Sequence, residues 1–312
     1  MPELDPRMAV ILAKMAAAAP RPYEAMTPAE ARAEAERRNA VWNEEPPPLA
    51  LVEELSLPGP RDMLPVRFYV PEGGSAPTGC VLFFHGGGWV FGSPDTHDGI
   101  CRRLARAGGF AVASVDYGLA PDHPFPHGLE DCLAAIRWFR EHGATHGVDP
   151  ERLALAGDSA GANLALACCL ALRDAGEPPL RAAALAYGVY SADCDSASHA
   201  AFGDGRYVLS SAMMRWFWNH YVAEPARRTD PLAAPLHADL HGLPPLFLAA
   251  AELDPLRDDS ERLARRLIEV GAEFDYRLWK GVTHASMAMS RLLPQAEGFI
   301  ADAAGFLARR LA

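Results

Sequence analysis

The chain alternates short apolar runs with helix-forming stretches, and that alternation constrains its fold more than any other feature. Runs with β character fall at 52–57, 66–70, 80–84, 110–116, 153–156, 182–187, 246–250 and 274–279. Each has a length that suits a strand better than a helix. After the third run, helical patterns separate nearly all of them. Strand, helix and strand in series form a βαβ crossover, which makes neighbouring strands parallel and covers both faces of the sheet. The first two runs lack an intervening helix and suit an antiparallel start. The expectation is an α/β fold with a mostly parallel eight-stranded sheet and helices on both faces.

Two segments stand outside this rhythm. Thr27, Pro28 and Glu30 supply an N-cap, a first-turn proline and the acid of a capping box, so a helix is expected over 27–42. Pro46, Pro47 and Pro48 then close the segment. Between the sixth and seventh runs, a Ser-, Asp- and Gly-rich stretch leads into a helix with Met213, Met214, Trp216, Phe217 and Tyr221. That is more chain than one crossover needs. Residues 1–45 are therefore expected to form an N-terminal helical cap segment, and about 190–225 a cap insertion within a catalytic domain spanning 46–312.

Charge and cysteine usage narrow the partners. Against 29 Lys and Arg stand 40 Asp and Glu, a net charge of −11, so nucleic acid and anionic membrane surfaces are not expected partners. The densest basic group, Arg262, Arg265 and Arg266, is interleaved with Glu261 and Glu269 and reads as a solvated helix face. The longest apolar run, 164–172, has about half the length of a membrane-spanning helix. Glu3, Asp5 and Lys14 spoil the pattern of a secretory signal over residues 8–19. Cys80, Cys101, Cys132, Cys168, Cys169 and Cys194 show no CxxC spacing and read as free thiols of a reducing compartment, which predicts a cytoplasmic protein. Prolines between His123 and His127, and glycines beside His142 and His146, argue against a metal site. A homodimer is compatible with the sequence, which does not specify an oligomeric state.

The chemistry concentrates at strand ends. Gly157-Asp158-Ser159-Ala160-Gly161 follows one apolar run and opens a helical run over 160–174. This is the strand, sharp turn and helix that lifts a nucleophilic serine above a sheet, with small neighbours where the backbones approach. As a string it is only moderately specific, and its context supports it. His85-Gly86-Gly87-Gly88-Trp89 follows the run at 80–84, at the carboxyl end of a strand where ligand sites of such sheets lie. With neither GxGxxG nor a Walker lysine present, phosphate binding is disfavoured, and an oxyanion hole of bare backbone N–H groups is the better reading.

Such a site needs a carboxylate and a base further along the chain. Asp254 follows the run at 246–250, with Glu252, Asp258 and Asp259 as nearby rivals that read as surface acids. His284 follows the last run, and no other histidine lies beyond Asp254. Ser159, Asp254 and His284 are the expected catalytic residues.

These motifs, together with Tyr117 to Pro126 and Asp254-Pro255-Leu256, stand in the order of a known family. From about residue 60 onward the chain resembles the bacterial hormone-sensitive lipase family of α/β-hydrolase esterases. The resemblance implies a serine carboxylesterase that works through an acyl-enzyme without a cofactor; the expected cap segments, as a fixed helical roof above Ser159, imply short to medium acyl esters. Ser159 would be nucleophile, His284 base and Asp254 its orienter, and the N–H groups of Gly87, Gly88 and Ala160 would be oxyanion donors, with Gly86 the alternative glycine. The chain departs from the family at Gly118 and Asp122, where Arg and Glu are usual, and at Ser286, where an aromatic residue is common. The same three residues could cleave a lactone, carbamate or formyl amide. A non-catalytic small-molecule-binding protein on this fold is a further alternative, which His284 opposes.

Overall fold

Each of the eight runs with β character becomes a strand, and all eight strands join one sheet. They are β1 (Leu51–Pro58), β2 (Met63–Val70), β3 (Thr78–Phe84), β4 (Ala111–Val115), β5 (Val148–Asp158), β6 (Ala183–Ala186), β7 (Leu246–Leu253) and β8 (Phe274–Thr283). The computed structural model describes residues 3–18, 21–73 and 77–312, so residues 1, 2, 19 and 20 of the expected cap segment lie outside the described residues. The sheet order is β1-β2-β4-β3-β5-β6-β7-β8. β2 runs antiparallel to β1 and β4, and the remaining pairs are parallel, as the missing crossover after β1 requires.

Nine α-helices accompany the strands among the described residues: α1 (Pro6–Ala18), α2 (Pro28–Asn39), α3 (Asp98–Gly108), α4 (His127–His142), α5 (Ala160–Asp174), α6 (Ala197–Phe202), α7 (Ser211–Tyr221), α8 (Arg257–Glu269) and α9 (Pro294–Leu311). α2 starts where its sequence dictates. The Glu30 N–H donates to Thr27 Oγ1 at 3.3 Å, and the Thr27 N–H donates to the Glu30 carboxylate at 2.8 Å, a reciprocal capping box.

Strand alternation divides the core into two layers. Cys80, Leu82 and Phe84 of β3, Leu155 of β5 and Leu248 of β7 face the layer that holds α2, α4, α5, α7 and α8. Val81, Phe83, Ala154, Ala156, Ala184 and Ala249 face the layer of α1, α3 and α9. The alanines of β5 to β7 leave room there for the large side chains Phe247, Phe299 and Phe306. Both faces are dry, which is why these strands read as continuous apolar runs.

Two further observations bear on the partners. No helix among the described residues is long and apolar enough to cross a membrane. All six cysteines are free and buried. The basic face expected on α8 is only partly solvated: Arg265 is exposed, but Arg266 turns inward and donates to the carbonyls of Leu236 and Ala238 at 2.7 and 2.8 Å.

Candidate active site

The turn between β5 and α5 leaves no room for side chains at its glycines. A Cβ on Gly161 would come within 1.8 Å of the Phe84 carbonyl oxygen, and one on Gly157 within 2.5 Å of Gly161 backbone atoms. Ser159 between them has φ +54, a left-handed value that costs a non-glycine residue energy and survives only where the surroundings impose it. The Ser159 N–H donates to the Ala186 carbonyl at 2.8 Å, tying the turn to β6. The serine is thereby held at the carboxyl end of the central strand, where an open α/β sheet exposes its crevice.

His284 and Asp254 reach this point from the ends of β8 and β7. The Ser159 hydroxyl lies 2.9 Å from His284 Nε2, and His284 Nδ1 lies 2.8 Å from Asp254 Oδ2. Because the carboxylate can only accept, Nδ1 carries the proton and Nε2 is free to accept from the serine. Asp254 is fully buried, and its other oxygen accepts the Leu256 N–H at 2.9 Å. The edge of the Tyr187 ring packs on the imidazole, with centroids 4.9 Å apart. The three expected residues, 125 and 30 positions apart along the chain, meet in one hydrogen-bonded line.

The glycine loop after β3 meets the same elbow through Asp158. Gly86 donates its N–H to Asp158 Oδ1 at 2.9 Å, so that group is already engaged. The N–H groups of Gly87, Gly88 and Ala160 donate to no other group among the described residues. Gly87 and Gly88 have φ +116 and +59, and a Cβ on Gly87 would strike the Phe91 carbonyl oxygen at 2.0 Å. A cluster beneath the loop, absent from the sequence reading, fixes its base. His97 Nε2 sits 3.2 Å from Asp158. Burial alone would raise the Asp158 carboxyl, but the charge of His97 and the hydrogen bonds outweigh it and hold the group below its usual range. His85 is driven down to about 3 by burial and by His97, so it is neutral; its Nδ1–H donates to the Gly86 carbonyl at 2.8 Å. The Tyr117 hydroxyl donates to the His85 carbonyl at 2.7 Å. Asp158 and His97 carry no sequence signal beyond their neighbours.

The rivals of Asp254 have other work. Glu252 accepts the Gly281 N–H at 2.9 Å, and Asp258 accepts the Ser198 N–H at 2.8 Å. Asp259 is not a surface acid. It is 2% exposed and accepts the N–H groups of Tyr190 and Ser191 at 2.7 and 2.9 Å, and burial pushes its carboxyl up to about 7.

The family departures have structural substitutes. At Gly118 a Cβ would lie 2.9 Å from His123 and 3.0 Å from Asp131, so a side chain there would have to displace His123. Arg61, from the β1–β2 turn, pairs with Asp131 instead, and Arg32 of α2 pairs with Asp122 at 2.7 Å. Ser286 is fully buried.

Comparison with known proteins bears directly on this arrangement. The α/β-hydrolase fold family matches residues 81–288. The carboxylic ester hydrolase LipN of Mycobacterium tuberculosis is 39% identical over 251 residues, covering 77% of this chain and 65% of LipN, so the match spans slightly less than two thirds of that relative. The ethyl acetate hydrolase of Pseudomonas putida is 36% identical over 304 residues, 95% of this chain and 94% of that one. The crystal structure of a thermostable esterase from Pseudomonas putida ECU1011 superposes with a TM-score of 0.94 at 31% identity, over 100% of this chain and 99% of that one. With this fold, these motifs and these relatives, the chain belongs to the α/β-hydrolase family, in the hormone-sensitive lipase branch that its motifs resemble.

Proposed function

We propose that the protein is a serine carboxylesterase that hydrolyses short to medium acyl esters of small molecules. The observation that carries this reading is the line from Ser159 through His284 to the buried Asp254, beside a glycine loop and elbow whose Gly87, Gly88 and Ala160 N–H groups donate to nothing else among the described residues. In the mechanism that follows, His284 Nε2 takes the serine proton as Oγ attacks the ester carbonyl. The carbonyl oxygen, now negative, is received by Gly87, Gly88 and Ala160, whose N–H groups are held by no other partner among the described residues and so need no reorganisation. His284 then returns the proton to the leaving alcohol, and water repeats the sequence on the acyl-enzyme. Asp254 holds the imidazole in the tautomer that makes Nε2 the base. The intact serine and imidazole argue against a binding protein on the same fold.

The acyl range follows from what sits above the loop. The described residues of the N-terminal segment, with those of about 190–225, act as a cap. The Phe217 ring of α7 packs on Gly88, Phe91 lies 5.3 Å from Phe217, and Tyr23 lies 4.8 Å from Phe91 by ring centroids. An aromatic roof of this kind limits depth, so acyl chains of about two to eight carbons are favoured, each buried CH₂ contributing about 0.8 kcal/mol. No lipid surface is needed to open it. The six buried free thiols suit the cytoplasm.

A p-nitrophenyl ester series from acetate to palmitate tests the reading, with Ser159→Ala and fluorophosphonate labelling alongside. The wild type should favour the short half of the series. Ser159→Ala should lose the label and about 10⁶ in kcat with its circular dichroism unchanged. A variant keeping a few per cent of activity would exclude the covalent route, and a preference for palmitate would exclude the closed roof.

A further inference from the structure

Arg32 sits on α2, in the N-terminal segment, yet its guanidinium ends at the catalytic core. Its Nε–H donates to the Val90 carbonyl at 2.9 Å and its Nη2–H to the Ala120 carbonyl at 2.9 Å, and the Asp122 carboxylate lies 2.7 Å from the same Nη2. Both carbonyls belong to the backbone that shapes the glycine loop. The Val90 N–H closes on the Gly87 carbonyl at 3.1 Å, and the Ala120 N–H donates to the Trp89 carbonyl at 2.8 Å. One planar fork therefore fastens the two peptides that follow and flank Gly88.

The parts of this contact differ in weight. The Asp122 side chain is 62% exposed, and a solvated ion pair contributes little. The carbonyl bonds are charge-assisted and directional, and only a guanidinium reaches two acceptors in a fixed geometry. Gly87 and Gly88 have no side chains of their own to anchor them. The base of the loop is held by Asp158 through Gly86, and its far side is held by Arg32.

We infer that Arg32 is a positioning residue for the oxyanion hole: from the N-terminal helix it holds the Val90 and Ala120 carbonyls and so sets where Gly87 and Gly88 aim their N–H groups. The inference rests on the esterase reading above. A misplaced donor weakens the tetrahedral state more than the bound ester, so the effect belongs in kcat rather than KM. Deleting one oxyanion donor costs about 10²–10³ in kcat, and displacing two slightly should cost about tenfold.

The test uses full-length protein, p-nitrophenyl butyrate and a butyl trifluoromethyl ketone, which forms a tetrahedral adduct in the site. Arg32→Ala and Arg32→Lys should both lower kcat about tenfold with KM within twofold, and the ketone should bind about tenfold more weakly to each. Asp122→Asn should stay within twofold on all three measures. Lysine keeps the charge opposite Asp122 but cannot serve both carbonyls. Should Arg32→Ala fail to fold, Arg32→Lys and Arg32→Gln carry the same comparison. Arg32→Lys at wild-type kcat, a loss confined to KM, or a fallen kcat with unchanged ketone affinity would each overturn the inference. A wild type that hydrolyses no ester would instead overturn the esterase reading.

Discussion

The Phe217 ring occupies the space that a side chain at Gly88 would need: a Cβ there would fall 2.2 Å from the ring carbons. Helix α7 and the glycine loop are thus one packed unit, and the loop's conformation depends on the insertion above it. The same ring faces Phe91 edge-on at 5.3 Å, so the contact lies inside an aromatic cluster rather than at a solvated margin.

Gly88→Ala should therefore lower kcat by about 10²–10³, the loss expected when an oxyanion donor is displaced. Phe217→Ala should retain activity and move the preferred acyl chain longer by about two carbons, because the vacated volume accepts further CH₂ groups. The double variant should be more active than Gly88→Ala alone, though below wild type, since alanine at φ +59 stays strained after the clash is relieved. Kinetics of the four proteins on the ester series form a double-mutant cycle. Strict additivity would show that the ring and the glycine are not coupled.

Asp254→Asn should fold normally and lose about 10⁴ in kcat, because an amide no longer compels Nδ1 to carry the proton. The Leu256 N–H can still find an oxygen at position 254, so thermal stability should change little. The assay is kcat beside a melting curve. Activity above a tenth of wild type would remove Asp254 from its role, and Glu252 could not replace it without releasing the Gly281 N–H.

The sequence exposes those parts of the molecule that burial and steric need write locally. Strands dry on both faces, such as β3 and β5, show as unbroken apolar runs, and the elbow around Ser159 shows because two close approaches demand glycine at 157 and 161. Asp254 and His284 are legible because each follows a strand, and strand ends meet at the crevice of such a sheet. Arg32 is not legible: it is one arginine in a polar helix, and its acceptors lie 58 and 88 residues away. Asp259 misleads for the same reason. Beside Asp258 at a helix start it looks solvated, but its carboxylate serves two N–H groups that arrive from 68 and 69 residues earlier. Long-range polar partners leave no periodicity to read.

Asp259 also gives the fold a pH signature of its own. Burial raises its carboxyl to about 7, against the two N–H bonds and nearby Arg262, which favour the ionised form. An unfolded aspartate titrates near 3.9, roughly three units lower. A group whose folded pKa is raised contributes stability that is complete below the unfolded value and is lost as pH rises through the folded one. The wild type should therefore lose stability between pH 4 and about 7, with a slope approaching 1.4 kcal/mol per pH unit from this group alone. In the Asp259→Asn variant the amide does not titrate, and its oxygen can accept from Tyr190 and Ser191 as the carboxylate does. That variant should thus gain on the wild type as pH rises from 5 to 8, whatever the other groups contribute, because both proteins share them. Paired melting curves across that range measure the difference directly. A difference that stays flat from pH 5 to 8 would mean that Asp259 is ionised in the folded protein throughout that range.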